Sequence, residues 1–99
     1  MKAAAPPMCK AGSGSIINIS SIAGLRVGLY YWHHSMTAHA YTATKWAVRG
    51  MTKAAAMEFA PYNVRVNSIH PGPIETSMLG EDVKAKEKMA ADIPMKRLG

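Results

Sequence analysis

Two short runs rich in β-branched residues, Ser15–Ile19 and Val64–Ile69, constrain the fold of this chain more than anything else in it. Ser15–Ile19 lacks polar alternation and is bounded by the flexible break Ala11–Gly14 and by Ser20–Ser21. It therefore reads as a buried strand in a parallel pairing. From about Ala38 to Ala60 the pattern turns helical. Ala43, Ala47, Met51, Ala54 and Ala55 recur largely at spacings of three or four, and Pro61 ends the run. Asn63 then offers a turn into the second run, and Pro71-Gly72-Pro73 stops that run sharply. A further helical segment is expected from Thr76 or Met78 to Ala91, after which Ile93–Gly99 trails off. Met1–Lys10 reads as the frayed end of a helix.

The order strand, long connection, helix, strand, loop, helix is a βαβα unit, and it predicts an α/β fold with a right-handed crossover between neighbouring parallel strands. In open sheets of this kind ligands bind beyond the carboxyl ends of the strands. Ser20-Ser21 follows the first strand and Pro71-Gly72 the second, so both polar junctions fall on that edge.

Ninety-nine residues make one small domain, and the composition, 48% hydrophobic and 18% charged, is that of a globular chain. Ala3–Pro7 is too brief and too interrupted by proline for the apolar core of a signal peptide, and no apolar run approaches the roughly 20 residues that span a bilayer. The expectation is a soluble, cytoplasmic protein with no membrane partner. A single cysteine, Cys9, agrees with a reducing compartment. The net charge of +6 raises nucleic acid as a partner, but the basic residues are scattered. Their one cluster, Lys84, Lys86 and Lys88, is interleaved with Glu81, Asp82 and Glu87 and reads as a solvated helix face, so no nucleic-acid partner is expected. His33, His34, His39 and Cys9 lack the organised spacing of a zinc site, and no metal is expected either.

Among the ionisable residues, Tyr41 and Lys45 are four apart and project from one helix face. A phenol with its usual pKa of about 10 exchanges protons poorly at neutral pH, whereas an adjacent ammonium favours the phenolate. The pair makes a general acid–base able to protonate a carbonyl oxygen or deprotonate an alcohol. A serine hydroxyl at the end of the first strand can hydrogen-bond the same oxygen, and Ser21 stands there.

Three motifs occur in order: Asn18-Ile-Ser-Ser21, Tyr41-Thr-Ala-Thr-Lys45-Trp-Ala-Val-Arg-Gly50, and Arg65-Val-Asn-Ser-Ile-His-Pro-Gly72-Pro-Ile-Glu-Thr76. Together they strongly resemble the carboxyl-terminal half of the short-chain dehydrogenase/reductase family. The resemblance covers roughly Met8–Met78, and Pro94–Gly99 also looks like family sequence. It implies a partial Rossmann-like parallel sheet and reversible hydride transfer between NAD or NADP and an alcohol or ketone. Ser21 would polarise the substrate carbonyl, Tyr41 would be the acid–base, and Lys45 would assist the tyrosine and hydrogen-bond the nicotinamide ribose. Pro71 and Gly72 would shape the loop beside the nicotinamide. The Ile74 backbone and Thr76 hydroxyl would contact its carboxamide or the neighbouring phosphate. His70 would be structural. Ile16–Pro71 looks most like bacterial hydroxysteroid and 3-oxoacyl reductase-type members. The resemblance also implies a homo-oligomer, with the helix paired to its copy across Ala43, Ala47 and Gly50.

The chain departs from that family in two respects. The glycine-rich phosphate loop is absent, and Gly12-Ser-Gly14 is no substitute because it precedes a strand instead of following one. Asn18 lies on the strand and does not replace the family's active-site asparagine. Residues 1–99 are therefore expected to form a single incomplete NAD(P)-binding domain that is inactive alone. The alternative is a non-catalytic chain that associates with full-length subunits through the Tyr41–Ala60 helix. Second, Ser21 and Tyr41 stand twenty positions apart, a longer gap than the resemblance implies. The surplus falls within Arg26–Met36, around Leu29–Ser35. It reads as a substrate-facing lid, an inserted surface loop or an artefact of gene structure.

Overall fold

A computed structural model describes residues 1–26 and 37–99, the side chains of 37 and 38 excepted. The surplus segment around Leu29–Ser35, with His33 and His34, lies outside the described residues. Helix α1 (Ala5–Ala11) carries Pro6 and Pro7 in its first turn, where the missing N–H groups cost no intrahelical bond. Strand β1 (Gly14–Ile19) follows, then a single 3₁₀ turn over Ile22–Gly24. Helix α2 (Thr37–Phe59) leads through a 3₁₀ turn at Ala60–Tyr62 into strand β2 (Val64–Ile69). A further 3₁₀ turn, Ser77–Leu79, precedes helix α3 (Val83–Ala91).

The strands pair in parallel, in register from Gly14 opposite Val64 to Ile19 opposite Ile69. The architecture is thus the expected α/β arrangement. The burial of β1 is not as expected: its residues alternate, with Ile16 and Asn18 turned toward α2 while Ile17 and Ile19 remain 56% and 59% exposed. The apolar run reads as buried on both sides, but among the described residues only one face of the sheet is covered. Ile69, on β2, is exposed as well.

The covered face is closed by small side chains. Ala55 on α2 and Val64 and Val66 on β2 are buried, and buried Thr52 sits among them. Its hydroxyl donates to the Val48 carbonyl at 2.7 Å and accepts the Asn18 amide at 3.0 Å, which pins the middle of α2 to β1. A second pin lies one strand-end further on. Ser20, 4% exposed, donates its hydroxyl to the Lys45 carbonyl at 2.9 Å. Gly24 lies against the same carbonyl, so closely that a Cβ there would come within 2.7 Å of it and 2.6 Å of the Ser20 hydroxyl. Only glycine lets the 3₁₀ turn approach α2 this far.

These pins determine which face of α2 is inward. Tyr41, Lys45, Val48, Thr52, Ala55 and Phe59 are buried or half-buried, whereas Ala43, Ala47, Met51 and Ala54 are exposed. Of the five residues whose spacing marks the helix, only Ala55 faces the core; the alanine stripe is the outer surface.

Beyond β2 the expected single helix is interrupted. Gly80 adopts a left-handed φ of +68°, and Asp82 caps the restarted helix by accepting the Ala85 N–H at 3.1 Å. Nor does the tail trail off. Gly99 donates to the Pro73 carbonyl at 3.2 Å and accepts the Glu75 N–H at 2.9 Å. No described helix is long and apolar enough to cross a membrane.

Candidate active site at the carboxyl ends of the strands

The two strands continue as a looser ladder past their last paired residues. Ser20 donates its N–H to the Ile69 carbonyl at 2.8 Å, and Ile22 donates to that of Pro71 at 3.0 Å. The Ser20-Ser21 and Pro71-Gly72 junctions are thereby held side by side, as the topology predicts for a ligand-binding edge.

Ser21 is the N-cap of the 3₁₀ turn. Its Oγ accepts the Ala23 N–H at 3.1 Å, and its carbonyl is met by His70 Nδ1 at 3.0 Å. The side-chain oxygen is thus engaged as an acceptor, and its own O–H stays available to donate. Tyr41 and Lys45 stand one turn apart on the inward face of α2. The Lys45 ammonium lies 5.5 Å from the centre of the Tyr41 ring and donates to the Ile19 carbonyl at 3.4 Å. That carbonyl ends β1, two residues before Ser21. The structure therefore brings Tyr41 and Lys45 together at the strand end that also carries Ser21.

Lys45 has three N–H donors and, among the described residues, a single long bond to protein. Two donors remain for a diol or similar group. Pro71 is tied to Ile22, and Gly72 is exposed, with open space where a Cβ would be. Ile74 and Thr76 sit further along, on a strap fastened from behind by Gly99 and by the Lys86–Glu75 ion pair at 3.0 Å. No described hydrogen bond involves the Ile74 N–H or the Thr76 hydroxyl, and none links either residue to Ser21 or Lys45. The edge therefore presents unspent donors at Lys45, Ile74 and Thr76, a donor set that fits a polar ring substituent and a sugar hydroxyl.

Sequence reasoning gave no partners to three residues here, although His70 was read as structural. Ser20 and Gly24 dock the turn on α2, and His70 links β2 to Ser21. The serine doublet was visible, but which serine faces inward depends on strand phase. The bond from His70 to Ser21 joins residues 49 positions apart in the chain, a relation no local pattern encodes.

Residues 1–99 match the family model described as enoyl-(acyl carrier protein) reductase. The chain belongs to the short-chain dehydrogenase/reductase family. Over 78 residues it is 58% identical to trans-4-hydroxycyclohexanecarboxylate dehydrogenase of Sinomonas cyclohexanicum, covering 79% of this chain and 27% of that protein. Over 78 residues it is 53% identical to the 3-alpha-(or 20-beta)-hydroxysteroid dehydrogenase of Mycobacterium tuberculosis, with the same coverage. The chain thus spans about a quarter of the length of these dehydrogenases. Among solved structures, the short-chain dehydrogenase/reductase fold recurs in ElxO with NADP bound, at 37% identity and a TM-score of 0.82, covering 100% of this chain and 39% of that one. It recurs also in an NAD⁺-bound xylitol dehydrogenase, at 30% identity and a TM-score of 0.79, covering 99% and 42%.

Proposed function

We propose that Ser21, Tyr41 and Lys45 are the catalytic residues of a nicotinamide-dependent oxidoreductase acting on an alcohol or ketone. The observation that carries this reading is the Lys45 ammonium beside the Tyr41 ring and on the last carbonyl of β1, two residues before Ser21. In the reducing direction Tyr41 gives its phenolic proton to the carbonyl oxygen, and the Lys45 charge stabilises the phenolate left behind. Ser21, its oxygen already occupied by the Ala23 N–H, donates its O–H to the same oxygen and holds it in place. In the oxidising direction the proton returns to Tyr41. A bound nicotinamide supplies or accepts the hydride. The free donors of Lys45 would hold its ribose, Pro71 and Gly72 would flank the ring, and the Ile74 backbone and Thr76 hydroxyl would meet the carboxamide or phosphate. One relative is named for a hydroxycyclohexanecarboxylate and another for 3-alpha- or 20-beta-hydroxysteroids, which favours a secondary alcohol on or beside a carbocyclic frame as substrate. The structural relatives carry NADP or NAD⁺, which supports NAD or NADP as the cofactor.

The 99 residues contain no glycine-rich loop after a strand, and the dinucleotide's adenine and pyrophosphate need such a loop. We therefore infer that residues 1–99 form a single incomplete cofactor-binding domain, soluble and cytoplasmic, that does not turn over alone. Titration of the purified chain with NADH and NADPH, followed by fluorescence, should show no binding in the micromolar range; micromolar affinity would refute this. Catalysis itself is tested in a chimera in which the 78 matched residues replace their counterpart in the Sinomonas dehydrogenase. Turnover of that enzyme's own substrate, lost in Tyr41→Phe, is expected. A folded but inactive chimera, or an active Tyr41→Phe, sinks the assignment.

A second reading is favoured by the outer face of α2, where Trp46 and Met51 are 44% and 48% exposed. On it, the chain associates with full-length subunits through the Tyr41–Ala60 helix without turnover. Co-purification with a full-length homologue that lacks any effect of Tyr41→Phe distinguishes it. The same face is where a homo-oligomer would form.

A further inference from the structure

We propose that His70 is a positioning residue for Ser21, clamping the serine's backbone to β2 through an imidazole held in its Nδ1–H form; the proposal rests on the role assigned above to Ser21. The clamp lies beside a break in the ladder at Pro71. In a parallel ladder the two strands donate in turn. Ser20 donates to Ile69, the residue at 71 should donate back, and Ile22 then donates to residue 71. Proline has no N–H, so the middle bond cannot form. The bond left out would have ended on the Ser20 carbonyl. One residue further on, the side chain of the preceding residue supplies a separate tie, His70 Nδ1 lying 3.0 Å from the Ser21 carbonyl, which also accepts the Gly24 N–H at 2.9 Å.

The partners determine where the ring proton resides. A carbonyl oxygen only accepts, so Nδ1 must carry the hydrogen. On the other side Nε2 lies 2.9 Å from the Ser68 hydroxyl, which can donate to it. Ser68 is two residues back on β2, so the strand itself selects the tautomer, as the partner of one ring nitrogen commonly does for the other. A directed chain results: Ser68 O–H to Nε2, Nδ1–H to the Ser21 carbonyl, and Ala23 N–H to the Ser21 Oγ. Ser21 is tied at its carbonyl by His70, which follows β2, and by the Gly24 N–H, and at its side chain by the Ala23 N–H; among the described residues its O–H donates to no group. No described acidic side chain bonds the ring. His70 touches no reacting atom in this arrangement; it acts on the reaction through Ser21.

The clamp is tested in the full 99-residue chain without any turnover assay, so its failure is separate from failure of the catalytic assignment. In ¹⁵N-imidazole NMR above the titration of the ring, the proton of His70 is expected on Nδ1; a proton found on Nε2 overturns the proposal. Two variants then separate the clamp from a space-filling role. His70→Asn places an amide N–H near the position of Nδ1, whereas His70→Gln places it near that of Nε2. Amide exchange at Ile22 and Ala23 should match the unmutated chain in His70→Asn. It should quicken about tenfold in His70→Gln, the effect of one lost hydrogen bond, with the β1–β2 ladder unchanged in both. Equal exchange in the two variants overturns the clamp.

Discussion

The two faces of α2 differ in kind. The inward face carries Tyr41, Lys45, Val48, Thr52, Ala55 and Phe59 and is anchored by hydrogen bonds to side chains of β1 and of the turn after it, through Asn18 to Thr52 and Ser20 to the Lys45 carbonyl. The outward face carries Ala43, Trp46, Ala47, Gly50, Met51 and Ala54 and touches little of the described chain. A ring contact on this face is local, the Arg49 guanidinium 5.3 Å from the centre of the Trp46 ring. The difference shows how a helix built from alanine can be placed with some accuracy. Small side chains let it approach the sheet, and a few polar bonds fix its rotation, so that Tyr41 and Lys45 meet the strand end. Apolar surface alone would leave the rotation undetermined, because the outer face is no less apolar.

This contrast can be broken at graded strength. The largest effect belongs to the reacting end of the inward face. In the chimera with the Sinomonas dehydrogenase, Tyr41→Phe should lower kcat by roughly 10³-fold, as loss of a general acid–base does, with cofactor KM little changed. Next comes the docking of the turn. Gly24→Val forces a side chain into the Lys45 carbonyl and should cost about 1–3 kcal/mol in urea unfolding, or displace Tyr41 and Lys45 together. Thr52→Val keeps the volume but leaves the Asn18 amide with only its weak contact to the Met1 sulfur at 3.9 Å, and should cost about 1 kcal/mol by the same measurement. The smallest effect is expected outside. Met51→Lys should leave unfolding within about 0.5 kcal/mol of the unmutated chain. Sedimentation should show weaker self-association of that variant, since the exposed apolar stripe is interrupted. A Met51→Lys effect on unfolding as large as that of Thr52→Val would erase the distinction between the faces.

Much of the fold was legible in the residues. The second strand was read with its observed limits, and the long helix to within a residue of them, because β-branched runs, Pro61 and Asn63 are local signals. The break at Gly80 was missed, since the helical spacing after Met78 runs through a residue whose positive φ becomes apparent only in the fold. Burial of β1 was misjudged for a different reason. The run Ile16–Ile17 looks alike on both sides, and which side is covered depends on what packs there. The candidate site divides in the same way. Tyr41 and Lys45 were visible as a helical pair. The docking partners of Ser20 and Gly24 and the Ser21 partner of His70 were not, because each lies far away in the chain.

The sequence alone determined the elements, their parallel order, and the residue types gathered at the strand ends, since these follow from propensity, spacing and the handedness of the crossover. Only the tertiary structure decided which face of α2 turns inward, which serine of the pair is spent on docking, and which nitrogen of His70 faces Ser21. These depend on directional hydrogen bonds between residues separated by tens of positions, and a bond of that kind exists only once both ends have been brought into place.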